Sequence, residues 1–360
     1  MMNSPLSASP LVHEVCGALH LHTTFSDGGV DYPRLIAAAK EVGLDFVVVT
    51  DHMSLKGRRE GYEGFSGGLF VVVGYEHNDA NNINHYLALK TTEVLKDHDS
   101  PQRYIDAVKK DGGIGFLAHP VEKRHYFKDY PAYPWTAWDA TGFDGIEVWN
   151  QMSDWLEHLK SWVNFFRLFY PRRFLAGIEK EMIEKWDGFN RRVFISGIGG
   201  VDAHTMKTKI GPFRLTVFPI KVELKGIRTH LYLEEPLPSN DPPRARELFF
   251  DALRLGRGFI SNFRRRDARG TRLFVEYADG ARAFPGPQPP GGALPARIHA
   301  RLVDKAEIRL IRNGQIVRRH AGSDAAFDIS EGGLYRVEVF KGKNAWIYSN
   351  PFPIGAYPLW

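Results

Sequence analysis

With a single cysteine, Cys16, among 360 residues, the chain can build neither an internal disulfide framework nor a cysteine-based zinc cluster. A reducing compartment is the expectation that follows. There is no run of eighteen apolar residues either, and the opening MMNSPLSASPLVHEVCG lacks the basic-then-apolar order of an export signal. A soluble, cytoplasmic protein with no membrane partner is predicted. Glycine-rich nucleotide cradles after a strand are absent, as are Ser or Cys nucleophile elbows, so the chemistries they serve have no foothold. The formal charge of +5 is scattered. Its densest cluster, Arg264 to Arg266 with Arg269 and Arg272, falls at an expected domain boundary, where a solvated linker explains it about as well as a phosphate grip. A nucleic-acid partner is therefore not expected.

What the chain does have is apolar residues, 43% of the total, enough for one large core and a second, smaller one. To about residue 262 short apolar runs alternate with helix-like stretches, which points to an α/β architecture. Strands are expected at 17–22, 45–51, 69–76, 85–90, 113–119, 143–150 and 193–199, and helices at 32–42, 101–110 and 242–255. Val47 to Val49 and Val71 to Val73 are apolar on both faces, as parallel strands covered by helices should be. The expected sheet is mostly parallel and able to close. Residues 14–265 form this region, with an aromatic-rich insertion around 125–190 that includes Trp138, Trp149, Trp155, Trp162, Phe165, Phe166, Phe169 and Trp186. A packed role is expected for these rings. From 271 to 360 the texture changes to alternating strands with turns at Asn313-Gly314 and Gly332-Gly333, and the 285–292 stretch reads as a long loop. A small antiparallel sandwich is the economical reading.

Chemistry gathers at the strand ends. Residues two apart on a strand share a face, so His20 and His22 in ALHLHTTFSDG present two imidazoles side by side, and Asp27 follows in the next loop. Alone, a His-x-His is weak evidence. Here it is repeated: His52 ends VVVTDH, Glu76 ends VVVGYE, His119 ends IGFLAHP, Glu147 lies in GIEVWN, and Asp202 and His204 close GVDAH. Active sites of α/β barrels lie at the strand C-terminal ends. A buried strand has no structural use for such tips, because each must be paired or coordinated once desolvated. Mixed imidazole and carboxylate donors without thiolate suit Zn, Mn or Fe.

In that order, HLHTTFSDG, TDH, GYE, AHP and GVDAH resemble the successive motifs of the polymerase-and-histidinol-phosphatase (PHP) metallohydrolases. GPFRLTVFPIKVELKGIRTHLYL, ALRLGRGFISN and WIYSNPFPI resemble the branch that includes carbaryl-hydrolase-like proteins, so the resemblance covers almost the whole chain. It implies a distorted parallel, TIM-like β/α barrel with two or three divalent metals at its C-terminal mouth, a C-terminal β domain, and hydrolysis, often of phosphate esters. Carried over motif by motif, it implies that His20, His22 and Asp202 hold one metal and that Glu76 bridges to a second. His119 would complete the second with a histidine from the strand after Glu76. His85 in NHYLAL is the candidate for that histidine, with Glu147 as the rival ligand. Asp27, His52 and His204 would hold a third metal. If Glu147 is not a ligand, it and Asp51 would orient histidine side chains.

Three divalent ions outweigh the carboxylates of Asp27, Glu76 and Asp202, so the expected pocket is positive and its substrate a small phosphomonoester or phosphodiester. The nucleophile would be a hydroxide shared between ions and flanked by Glu76 and Asp202, since coordination lowers the pKa of water from ~15.7 to roughly 7. Two other readings stand beside this one: a carbamate, amide or ester hydrolase using the same metals, and a non-catalytic binding or scaffold protein. Lys56, Arg58 and Arg59 after TDH either grip phosphate or face water. Arg214 and His77 are open, and His98, His158, His299 and His320 read as surface or packing residues.

Overall fold

The computed structural model describes residues 12–96, 100–124, 131–158, 171–210, 213–287 and 294–355. The first region runs β1 (His13–Leu21), α1 (Tyr32–Glu41), β2 (Phe46–Val49), α2 (Lys56–Arg59), β3 (Gly64–Ser66), β4 (Leu69–Val73), β5 (Tyr75–His77), β6 (Tyr86–Leu89), α3 (Pro101–Lys110) and β7 (Ile114–Leu117). It continues with β8 (Gly145–Asn150), α4 (Gln151–Glu157), α5 (Lys180–Asn190), β9 (Ser196–Ala203), β10 (Met206–Ile210), β11 (Phe213–Val217), α6 (Ile220–Glu223), β12 (Ile227–Leu233), α7 (Pro242–Arg254) and β13 (Gly258–Asn262). Local chemistry sets the helix starts. Asp31 and Asp241 accept hydrogen bonds from Arg34 N–H and Arg244 N–H, and prolines fill the first turns of α1 and α7, where their missing N–H costs nothing.

β4, β2, β1, β9, β8 and β7 pair in parallel, in that order. β6 then pairs antiparallel with β7 and with β5, and β5 follows β4 across Gly74, so the pairings return to where they began. The reversed direction of β6 is the exception within this mostly parallel circuit. Only eight residues separate β5 from β6, and a parallel crossover needs a dozen or more. Alternate strand residues feed two cores. Phe46, Val48, Phe70, Val72 and Phe116 pack with Phe249 and Leu253 of α7, whereas Val47, Val49, Val71 and Val73 pack with Leu35 of α1 and their neighbours. The expected two-sided burial follows from this.

The second region comprises β14 (Arg272–Tyr277), β15 (Arg282–Ala283), β16 (Ala296–Arg312), β17 (Gln315–Ile329), β18 (Gly333–Lys341), β19 (Asn344–Ser349) and β20 (Phe352–Ile354). All its pairings are antiparallel, and it has its own core around Ile298, Leu310, Val337 and Trp346. It is not a detached sandwich. The first half of β1 pairs antiparallel with β12, β12 with β13, and β13 with β19, so one sheet runs through both regions. Two polar staples reinforce the junction. Asn350 gives its amide N–H to Gly197 O (3.0 Å) and accepts Gly197 N–H (2.6 Å), which braces β9. Buried Arg336 pairs with Asp187 of α5 and with Glu338, 2.9 Å away.

Of the aromatic insertion, Trp149, Trp155 and Trp186 are buried, and Trp149 meets Tyr348 edge-on at 5.5 Å. Trp138 packs partly buried under Lys185. Trp162, Phe165, Phe166 and Phe169 lie outside the described residues, as do His98 and residues 288–292 of the expected loop.

Candidate metal centre

The parallel strands deliver their C-terminal ends to one mouth of the sheet. His20 lies in β1 and His22 just after it; His52 follows β2 and bridges to Glu76 in β5; His119 follows β7; Glu147 lies in β8, Asp202 in β9, and His204 just beyond. Because β6 runs the other way, its leading end reaches the same mouth and brings His85 with it. The plain alternation argument for His20 and His22 needs correction. His20 adopts φ 62°, and the register of β1 slips against both β2 and β9 around it. The rings still meet, with centroids 5.1 Å apart, but a bulge aims them. Asp202 (φ 56°) and His119 (φ 29°) share the left-handed conformation. Such conformations cost about 1–3 kcal/mol each and persist where surrounding structure imposes them, commonly at functional sites. Gly200 also serves this geometry, since a Cβ there would stand 1.7 Å from Glu147 Oε1.

Glu76 is the hub. Its Oε1 lies 2.7 Å from His85 Nδ1 and 3.1 Å from His119 Nε2. Its Oε2 lies 3.0 Å from His20 Nε2, 3.2 Å from His22 Nε2 and 3.6 Å from His52 Nδ1. Asp202 Oδ1 stands 3.5 Å from both His20 Nε2 and His22 Nε2 and 3.4 Å from His204 Nδ1. Asp27, the most exposed member, faces His22 Nδ1 at 3.5 Å, His204 Nε2 at 3.2 Å and His52 Nε2 at 3.7 Å. Among the described residues four overlapping donor groups result: His22, Asp27, His52 and His204; His20, His119 and Asp202; His20, His22 and Glu76; and His52, Glu76 and His85.

Such a cluster has too few protons for its lone pairs. His20 Nδ1 sits 2.9 Å from Glu147 Oε1, and a neutral ring that donates there turns a bare Nε2 toward Glu76 and Asp202. A cation must intervene or the ring must be charged. Burial works against charging His20, yet Glu147, Glu76 and Asp202 raise its pKa well above the ordinary value. Burial would lift Glu76 and Asp202, but the surrounding histidines, His20 first, hold both well below the carboxylate range. Against burial, Glu76 pushes His119 up to about 9, and Asp27 does the same for His204. His52 goes the other way, down to about 4, through burial and its neighbours His22 and His85.

Buried polar atoms without hydrogen-bond partners among the described residues complete the picture: both ring nitrogens of His22, Nε2 of His85 and Nδ1 of His119. Buried groups of this kind are normally satisfied. Converging, partly unsatisfied imidazoles around two buried carboxylates are what divalent cations require, so the donor set fits metal ions.

Glu147 is committed elsewhere. Its Oε1 faces His20, and its Oε2 accepts from His119 N–H at 2.8 Å and Asn150 Nδ2 at 2.9 Å, which is an orienting arrangement. Among the described residues Asp51 orients no histidine in this way. It accepts from Thr23 N–H (2.7 Å), Thr23 Oγ1 (2.8 Å) and Ser26 Oγ (2.8 Å), and so shapes the loop that carries Asp27. Arg58 is a staple, donating to Val73 O at 2.7 Å and pairing with Glu63 at 2.8 Å, while Lys56 lies 4.5 Å over the Phe25 ring. Arg59 is exposed, and the His77 ring packs at a tilt against Tyr104, with centroids 4.4 Å apart. His299 stacks on Phe274, His158 ends α4, and His320 is exposed. The side chain of Arg214 lies outside what is described. Arg272 pairs with Glu14 at 2.6 Å, and Arg269 with Asp45 at 3.4 Å, so these two members of the basic cluster act as staples.

Two groups escaped the sequence reading. Buried Glu223 accepts Thr205 Oγ1 at 3.0 Å beside His204, and burial lifts its pKa to about 8. Nothing in the IKVE segment marks it. Tyr133 stacks on His85, with centroids 4.9 Å apart, from a loop without a motif. A narrow cleft opens beside the cluster, between His119, Glu147 and Asn150 on one side and Asp154, Glu157 and Met182 on the other.

No protein-family model matches the chain. The uncharacterized protein MJ1587 of Methanocaldococcus jannaschii is 28% identical over 144 residues, which span 37% of this chain and 80% of the relative. Among solved structures, the chain is similar to a two-domain protein from Bacteroides vulgatus described as containing a predicted PHP-like metal-dependent phosphoesterase. That likeness has a TM-score of 0.47 and 14% identity, and covers 97% of this chain and 98% of the other. It is also similar to PsfC from Pseudomonas syringae, with a TM-score of 0.39 and 16% identity over 63% of this chain and 85% of that one.

Proposed function

We propose that the chain is a metal-dependent phosphoesterase of the PHP type, whose closed circuit of strands is that family's distorted barrel. The observation that carries the reading is the buried cluster around Glu76, in which imidazole nitrogens outnumber the protons and acceptors available to them. Three divalent ions would divide the donors as follows. His20, His22 and Asp202 would serve one, His85 and His119 a second, with Glu76 between them, and Asp27, His52 and His204 the third. His22 and His52 stand at the junctions of these groups. When bound, such ions acidify coordinated water and neutralise phosphoryl oxygens, and Zn, Mn or Fe each suit the donors.

The chain's own residues then do three things. Glu147 holds the His20 ring with Nε2 aimed at the centre and anchors the His119 backbone. Asp51 fixes the Thr23–Ser26 turn, so that Asp27 reaches over the mouth from an exposed loop. Burial of Glu76 and Asp202 keeps bulk water from competing for the donors. A small phosphomonoester or phosphodiester is the substrate class that a net-positive pocket favours, and a reducing, cytoplasmic setting suits a chain with one cysteine. No helix among the described residues is long and apolar enough to cross a membrane.

The test has two arms. Purified protein is assayed for bound transition metals, then for turnover of mono- and bis-nitrophenyl phosphate against naphthyl carbamate. Two or three ions per chain with phosphate-ester turnover is the expected result. Carbamate turnover alone would transfer the same centre to carbamate or ester hydrolysis, and protein that takes up no metal would end the reading.

A further inference from the structure

Short edges are common in this sheet. β15 has two residues and β3 and β20 have three, whereas β17 has fifteen and, among the described residues, pairs only with β16. A long edge presents a row of unpaired N–H and C=O groups ready for another strand. In the first half of β17 neither face is covered. Gln315 to Ala321 are exposed except for half-buried Val317, and Ile316 keeps 43% of its surface.

The strand is also self-complementary in charge. Counting outward from Ala321, Arg318 stands three residues to one side and Asp324 three to the other, while Ile316 and Ala326 stand five away on either side. Arg318 and Asp324 are an even number apart and share a face. We infer that the β17 edge is an interface between two copies of this chain, paired antiparallel about a two-fold axis at Ala321. Arg318 of each copy then lies opposite Asp324 of the other, twice by symmetry, and the regular pairing ends at the bulge at Val317. A register centred on Ser323 would oppose Arg318 to Asp328 instead. Asp328 is already held by Arg297 at 2.6 Å, whereas Arg301 approaches Asp324 only to 3.9 Å, which leaves room for a closer cation. The central seam of Arg318 to Asp324 is about 20 Å long. The contact is small, and the dimer is of the weak, concentration-dependent kind.

Sedimentation velocity of the full chain over a roughly hundredfold concentration range should show a dimer fraction that rises with concentration. Arg318→Asp turns both cross-strand pairs repulsive and should weaken the dimer about tenfold, since each pair is worth ~0.2–1 kcal/mol. Adding Asp324→Lys to that variant should restore it, with unchanged far-UV circular dichroism and melting midpoint showing that the fold is intact. Ala321→Cys should cross-link two chains on mild oxidation, because directly opposed Cα atoms about 4.5–5.5 Å apart suit a disulfide. The native Cys16 is buried. Ala326→Cys, far from its own symmetry mate, should not cross-link. A chain monomeric at every concentration, a dimer insensitive to the charge variants, or equal cross-linking at 321 and 326 would overturn the inference.

Discussion

β1 carries a buried histidine–carboxylate cluster near each end, and the two behave in opposite ways. At its leading end His230 places Nδ1 2.8 Å from Glu14 and Nε2 2.8 Å from Ser261 Oγ, with Cys16 Sγ at 3.5 Å. Glu14 is completed by Gly270 N–H at 2.8 Å and Arg272 at 2.6 Å. Every polar atom of His230 and Glu14 is met, and at 1% exposure Ser261 meets no substrate, although the bond order is that of a hydrolytic triad. At the far end the same residue types crowd together with ring nitrogens unmet and backbone in left-handed conformations. A closed polar network stabilises the fold, whereas an open one of equal burial stores a ligand site.

Four experiments break or sharpen that contrast. The largest effect belongs to Glu76→Ala, which removes the carboxylate shared by five imidazoles. Metal stoichiometry should fall by at least one ion. Phosphate-ester turnover should drop on the order of a thousandfold, because metal-centred stabilisation is worth several kcal/mol. Full metal content in this variant would mean that Glu76 is not the hub. Next comes Glu147→Ala, which releases His20 without touching the centre itself. A loss of about 10–100-fold in metal affinity is expected from calorimetric titration, and an unchanged affinity would reduce Glu147 to packing.

At the opposite end, His230→Ala should leave metal content and turnover intact but cost about 1–3 kcal/mol in urea unfolding, because Glu14 and Ser261 lose a buried partner. A fall in metal content there would show that the two ends are coupled. The smallest effect is in pH. Burial disfavours the His230 cation, but Cys16 and Glu14 outweigh it and lift its pKa to about 9. A raised histidine pKa stabilises the fold fully below about 6.5, the ordinary value. That contribution should fade as pH rises to 9. Glu14 is depressed despite its burial, chiefly by His230, so its contribution is lost as pH falls below the ordinary carboxylate range. Urea midpoints of chelator-treated wild type and His230→Gln should therefore converge toward pH 9 and differ most near pH 5–6. Parallel curves would remove the charge argument.

The strand-end donors were visible in sequence because desolvation leaves His, Glu and Asp few reasons to end apolar strands. His85 was harder to place. The YLAL run reads the same in either strand direction, and the short link after His77 was the signal that β6 reverses. Asp51 was read with Glu147 as an aid to the histidines, but its bonds to Thr23 and Ser26 depend on how two loops meet. Glu223 and Tyr133 carry no motif, since a buried acid on a four-residue helix and a tyrosine in a loop gain meaning only from what they face.

The amino-acid order alone marked the strands around the cluster and which of their tips carry donors, because hydrophobic pattern and the cost of burying charge are local properties. Tertiary structure decided how the cluster at the end of β1 is built: the left-handed turn at His20, the Glu147 contact that aims His20, and the continuous sheet binding the second region to the first. Each depends on contacts between residues tens to hundreds of positions apart, which no local pattern encodes.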